Sequence, residues 1–207
     1  MSTKQAGAER RRTFTETARR AQIVDAAAQV MATEGYSGTS IARIASHLGI
    51  SKGVITYHFR TKDEILRELV LRFFDEGWQH MEPAVDAATG ARGKILAWVG
   101  SQLEFFSRHR TRFLATGEIM ANHRGADGQL AFAEELDEEV TALSGIIVRG
   151  QQDGELREFD PRTIATLIVK TSSAVLETWA ADPQTDLQAQ SAALLDFIDH
   201  AIAKEKP

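Results

Sequence analysis

From Arg20 onward the apolar residues Ile23, Val24, Ala27, Val30 and Met31 recur at spacings of three and four. That period marks one face of an amphipathic helix. Gly35 is placed to end it, since glycine accepts the left-handed conformation in which many helices stop. Ser40 can cap a second helix over 41–48, which Gly49 ends. Ser51 can cap a third over 52–59, and Thr61 a fourth. Asp63 and Glu64 fall in the first turn of this fourth helix, where its dipole favours negative charge. Ile65, Leu66, Leu69, Phe73 and Trp78 carry it toward Pro83. After a break at Pro83–Gly93 the pattern predicts helices over 93–108, 111–122, 127–152, 161–181 and 186–203. Arg108–Arg110, Gly125, Asp153–Gly154, Asp160–Pro161 and Asp182–Pro183 separate them. No strand pattern and no internal repeat competes. The expectation is an all-α chain of about nine helices.

Composition changes this picture in two places. The chain has no cysteine, which removes disulfides, thiolate metal sites and thiol redox chemistry. Its net charge of −5 is unevenly distributed. Residues 1–62 carry ten basic and four acidic side chains, a net of +6, and the rest carries −11. A basic head on an acidic body suggests that only the head meets phosphate. No apolar run is long enough to span a bilayer, and the charged first dozen residues lead into no apolar segment of a secretory signal. The expected location is the cytoplasm, with no membrane partner.

Within the basic head, Ser40–Lys62 reads SIARIASHLGISKGVITYHFRTK. Two short helices joined by a tight turn must approach closely. Ala45 is small enough to allow the crossing, and Gly49, four residues on, supplies the turn. Ile44, Leu48, Ile50 and Ile55 supply buried contacts. This is the pattern of a helix-turn-helix spanning 40–59. Its second helix would enter the major groove. Lys52, Val54, Thr56, Tyr57 and His58 lie on the outward face, and Gly53 lets the backbone approach. Lys52 could reach a guanine edge or a phosphate, Val54 and Thr56 a thymine methyl, and Tyr57 or His58 a phosphate or base edge. Ser40, Ser51 and Lys62 stand at helix N-termini, where N–H groups favour phosphate. Arg43 projects from the first helix toward the DNA backbone.

The run from Gly35 to Leu66, G-Y-x-G-T-S-I-x-x-I-A-x-x-L-G-I-S-K-G-x-I-x-Y-H-F-x-x-K-D-E-I-L, resembles the DNA-binding domain of the TetR family of bacterial repressors. The resemblance covers about residues 19–80. It implies a dimer on double-stranded operator DNA, with contacts from Ser40, Arg43, Lys52, Gly53, Val54, Tyr57, His58 and Lys62. The family often has tyrosine where this chain has Thr56. That contact is either lost or replaced by a shorter hydroxyl. On this basis residues 1–18 form a flexible basic arm, 19–80 the DNA-binding domain and 81–207 a ligand-binding and dimerisation domain.

The resemblance places a small-molecule effector in the C-terminal domain and a homodimer through the last two helices. Trp98, Phe105, Phe106, Phe113 and Trp179 offer bulk for a pocket, and Gln102, Glu118, Asn122, His123 and Glu177 offer polar groups. Aromatics beside carboxylates suit a cationic or amphipathic ligand. Glu118 and Glu177, if buried, would need such a partner. The acidic run Glu134–Glu139 reads as a solvated helix face. No metal-ligand spacing, Gly-rich phosphate loop or nucleophile elbow is present, which argues against an enzyme, a cofactor or a resident metal. The expected function is a transcriptional repressor released from a palindromic operator by its effector. The alternative is a DNA-binding regulator that needs no ligand.

Overall fold

The computed structural model describes residues 3–125, 131–182 and 184–204, with side chains from Thr15 onward. Among the described residues there are nine helices: α1 (Thr3–Gly38), α2 (Ile41–Leu48), α3 (Lys52–His58), α4 (Lys62–Ala87), α5 (Gly90–Arg108), α6 (Arg110–Asn122), α7 (Ala133–Gln152), α8 (Pro161–Ala181) and α9 (Leu187–Ile202). An isolated antiparallel bridge pairs Leu156 with Ala203. The all-α expectation is met. No helix here is long and apolar enough to cross a membrane.

The chain divides into two compact units, Met1–Phe74 with Thr111–Asn122, and Asp75–Arg110 with His123–Pro207. In the first unit α1 packs on α2 and α3, and α2 on α3. Ile23, Val24, Ala27 and Met31 of α1 meet a core that includes Ile44, Ala45, Ile55 and Phe59, all buried. Ile65, Leu66, Leu69, Val70 and Phe73, at spacings of one, three and four, bury the inner stripe of α4. The segment 111–122 belongs to this unit, so residues 81–207 are not one contiguous body. The Arg112 guanidinium lies 4.8 Å from the centre of the Phe73 ring, and Ala115, Thr116 and Ile119 are buried.

Local chemistry explains most boundaries. Gly35 adopts φ 70, ψ 178 and breaks α1 internally. The Thr39 amide and hydroxyl both donate to the Gly35 carbonyl, at 3.2 and 2.8 Å, and fix the bend. Ser40 caps α2 by accepting from the Arg43 amide, and Gly49 closes it in the left-handed region at φ 64. The Thr61 hydroxyl accepts from the Glu64 amide at 3.2 Å and opens α4. Asp160 and Asp186 cap α8 and α9 in the same manner.

Three details differ from the sequence reading. Ser51 stands at the N-cap of α3, but its side chain makes no capping bond. α4 continues through Pro83 to Ala87. Proline removes one intrahelical donor, while Met81 and Val85 on either side are both buried and hold that turn in place. α1 extends back to Thr3, through the stretch read as a flexible arm. Lys, Gln, Ala, Glu and Arg dominate that stretch, and all favour helix. The start of the predicted 127–152 helix lies outside the described residues up to position 130, and α7 begins at Ala133.

In the second unit α5 packs on α7, α8 and α9, α7 on α8, and α8 on α9. Ile95, Val99 and Leu103, Leu143 and Ile147, Ala165 and Ile168, and Ile198 and Ile202 are the buried stripes of these four helices. The tail of α9 is tied back: Arg92 pairs with Asp199, and the Arg157 amide donates to the Ile202 carbonyl at 3.2 Å. The Glu155 carboxylate accepts from the Ala91 amide at 2.5 Å, capping the start of α5.

Candidate nucleic-acid interface

α3 is short, and only Ile55 on it is buried, so it presents most of its surface outward. Ser51, Lys52, Gly53, Thr56 and Tyr57 are exposed, Val54 is 37% exposed and His58 is half-buried. The core-facing anchors are Ile55 and Phe59, both fully buried. The apolar-in, polar-out division follows from the helical period. It leaves Lys52, Val54, Thr56 and Tyr57 together on one accessible face. The Thr56 hydroxyl donates to the Gly53 carbonyl at 3.3 Å and so stays folded against its own helix.

Flanking residues frame this face. Arg43 on α2 is exposed, and its Nε donates to Glu34 at 2.7 Å. Ser40 is engaged with the Arg43 amide at 3.3 Å. Lys62 opens α4, and its ammonium donates to the Tyr36 carbonyl at 2.8 Å while lying 4.1 Å from the Tyr36 ring centre. Partial burial lowers the Lys62 pKa, against an opposing pull from Asp63. Lys62 therefore ties the α1–α2 bend to the start of α4, and any phosphate contact must use its remaining N–H donors.

Sequence reasoning passed over one residue that organises the interface. Arg20 donates to the His58 carbonyl at 2.5 Å, pairs with Glu68 and lies 4.0 Å from the Phe59 ring centre. One guanidinium thus fastens the end of α3 to both α1 and α4. The planar fork of arginine suits this three-way duty. Its signal in the sequence was its place, three residues before the buried Ile23 on the same face as that stripe.

The effector candidates fall into two groups. In the second unit Trp98, Gln102, Phe105, Phe106 and His123 are buried, Trp179 is half-buried and Glu177 is exposed. In the first unit Phe113 is half-buried, while Glu118 and Asn122 are exposed. Asn122 donates to the Glu118 carbonyl at 2.9 Å and to its carboxylate at 3.3 Å. Glu118 and Glu177 are solvated, so neither needs a ligand cation. Glu139, in the run read as solvated, is instead half-buried. It accepts from the Gln102 amide at 2.6 Å. Glu139 lies four residues before Leu143 and seven before Ile146, on the inward stripe of α7, and that spacing was the available signal.

Burial raises the Glu139 pKa, only partly offset by Gln102, Trp98 and Lys170. The folded chain therefore keeps this proton to higher pH than the unfolded chain. Through that interval the folded state binds more protons, so stability falls as pH rises. The penalty is absent below the ordinary value of 4.5 and complete above the folded-state value. Glu139→Gln keeps an acceptor for Gln102 and removes the charge. Its melting temperature should match wild type near about pH 4 and exceed it increasingly toward neutrality. A difference that does not grow with pH would contradict the assignment.

A short outward helix on a glycine-turned partner, with a basic flank, is the geometry of a helix-turn-helix. Residues 23–69 match the profile described as bacterial regulatory proteins, tetR family. Over that stretch the chain carries a TetR-family regulatory domain. It is 26% identical over 179 residues to the fatty acid metabolism regulator protein of Bacillus subtilis, covering 86% of this chain and 92% of that one. It is 24% identical over 162 residues to the transcriptional repressor KstR2 of Rhodococcus jostii, covering 78% and 79%. The crystal structure of FadR from Bacillus subtilis in complex with stearoyl-CoA matches with a TM-score of 0.74 at 25% identity, over 86% of this chain and 96% of that chain. Both of these relatives are named as regulators.

Proposed function

We propose that the chain is a homodimeric TetR-family repressor that leaves a palindromic operator when an amphipathic small molecule binds its second unit. The observation that carries the DNA reading is the accessible face of α3, with Lys52, Val54, Thr56 and Tyr57 turned outward from a fully buried Ile55. Ser40, Arg43, Ser51, Gly53, His58 and Lys62 surround that face. Two such helices must reach successive major grooves, about 34–36 Å apart, so two copies are needed.

The second copy is assigned to α8 and α9. Leu167 is 54% exposed and Phe197 63% exposed. Thr171, Val175, Thr178, Gln190, Leu194 and Phe197 line an open apolar groove between these helices. Exposed apolar side chains gathered on two terminal helices support a self-complementary contact.

For the effector, the solvated Glu118 and Glu177 take away the argument for a cation. The buried aromatics Trp98, Phe105 and Phe106, with Gln102 and His123, favour an amphipathic molecule with a large apolar part. The fatty acid regulator and the stearoyl-CoA complex among its relatives make acyl thioesters the first class to test. A ligand moves the DNA-binding equilibrium only by its differential affinity for the two states. α4 belongs to both units by sequence, with Ile65–Phe73 in one and Trp78, 5.1 Å from Trp98, in the other. It is the continuous element through which such a difference would be felt.

Selection of bound duplexes from a random pool, repeated with an acyl-thioester panel, tests the whole reading. A palindromic site lost in the presence of one compound supports it. Binding that no compound alters favours the ligand-independent regulator. Within that assay, Lys52→Ala should weaken the selected site and lower the slope of log affinity against log salt by about 1, the value of one phosphate contact. An unchanged slope would remove Lys52 from the interface.

A further inference from the structure

The contact between Glu16 and Tyr57 is required by nothing described so far. Tyr57 is 70% exposed on the outward face of α3, its ring edge-on to His58 at 5.0 Å. So exposed a side chain ordinarily samples several rotamers. Here its hydroxyl donates to Glu16 Oε1 at 3.2 Å, across 41 positions of sequence, from α3 to α1. Glu16, Thr17, Arg20, Tyr57 and His58 line one open concavity. Arg20 already pairs with Glu68 in that corner. A surface suited to a polyanion therefore carries an exposed carboxylate beside its recognition helix. A neutral acceptor would hold the hydroxyl without repelling phosphate. An exposed hydrogen bond of this kind adds little to folding, so stability does not account for it.

We propose that Glu16 determines DNA specificity by holding Tyr57 in one orientation and by opposing phosphate in every other register. The inference rests on the reading of α3 as the element that enters the groove. A ring already fixed in place loses no rotamer freedom when the correct site docks. A wrong register brings a phosphate against the carboxylate, a repulsive element of the kind specific interfaces use. Non-specific binding depends on charge, so it is held down by the same group. Glu16 is a positioning residue, because it acts on the DNA through Tyr57.

The test uses the full chain, the duplex selected by wild type and a random-sequence duplex at one salt concentration. Glu16→Ala should bind the random duplex about threefold more tightly. It should bind the selected one about fivefold more weakly. Glu16→Gln keeps an acceptor for the hydroxyl, and should restore selected binding while random binding stays tight. Tyr57→Phe should weaken the selected site alone, and adding Glu16→Ala to it should cost that site nothing more. All variants should melt with wild type. An unchanged ratio of selected to random binding in Glu16→Ala would overturn the proposal. So would Glu16→Gln binding the selected duplex no better than Glu16→Ala. A wild-type chain without preference for any duplex would overturn the groove reading, and this inference with it.

Discussion

Phe197→Glu should convert the protein to a monomer and weaken operator binding by about 100-fold or more, the effect of losing a central aromatic contact. Phe197 projects from α9 with most of its ring in solvent, beside Leu194 and across a groove from Thr171, Val175 and Thr178 of α8. Its exposure means the substitution removes no contact from the monomer core. Glutamate is comfortable there in a single chain. Between two copies it would be withdrawn from water without a partner, which costs far more than a surface charge is worth. Binding to a two-half-site operator depends on both recognition helices arriving together, so the affinity loss follows the loss of the dimer. Sedimentation velocity and operator titration on the same preparation check this, with circular dichroism showing that the helices remain. A dimer of undiminished affinity would place the interface elsewhere.

Gly150→Ala should destabilise the second unit by about 2 kcal/mol, even though alanine is the better helix former. A Cβ at position 150 would lie 2.4 Å from Ala91 Cβ and 2.7 Å from Leu156 Cδ1. Ala91 Cβ cannot turn away by rotation, and the Leu156 methyl belongs to a buried side chain. Ala91 Cβ is fixed to the backbone of α5, next to the amide held by Glu155 at 2.5 Å. Leu156 is buried, and its amide and that of Glu155 both donate to the Gly150 carbonyl, at 3.1 and 2.9 Å. Relief of the clash therefore means parting α7 from α5 or breaking this turn. Alanine gains about 1 kcal/mol over glycine in a helix interior, whereas overpacking costs about 1–3 kcal/mol plus the bonds given up. Urea unfolding measures the sum. A neutral or stabilising result would show that the α5–α7 contact is looser than the distances imply.

Both predictions depend on placement that periodicity does not reveal. Gly150 reads in the sequence as an ordinary helical glycine, and its role as a close-approach point exists only because α5 crosses there. Leu167 and Phe197 belong to apolar stripes that could equally have been core. Relative exposure separates them from Ile168 and Ile198, their buried neighbours in sequence. The DNA-binding face was more legible. Short helices with serine, threonine and glycine at their ends obey local rules, and the outward positions of α3 follow once Ile55 and Phe59 are inward.

Glu139 and Arg20 show the limit of a one-dimensional reading. Both are charged, and charge normally signals a solvated position. Each lies on the inward side of its helix because a partner from a distant part of the chain meets it there: Gln102 for Glu139, and Glu68 with the His58 carbonyl for Arg20. Glu118 and Glu177 carry the same kind of charge on helices of similar pattern, and both remain in water.

Helical period, caps and turn glycines are properties of neighbouring residues. They were enough to establish the nine helices among the described residues, the tight turn between α2 and α3, and the side of α3 that faces outward. Which carboxylate is drawn inward, which glycine is crowded and which stripe is left uncovered depend on what lies across the core. Those features arise from contacts between residues tens of positions apart, and only the packed chain brings them together.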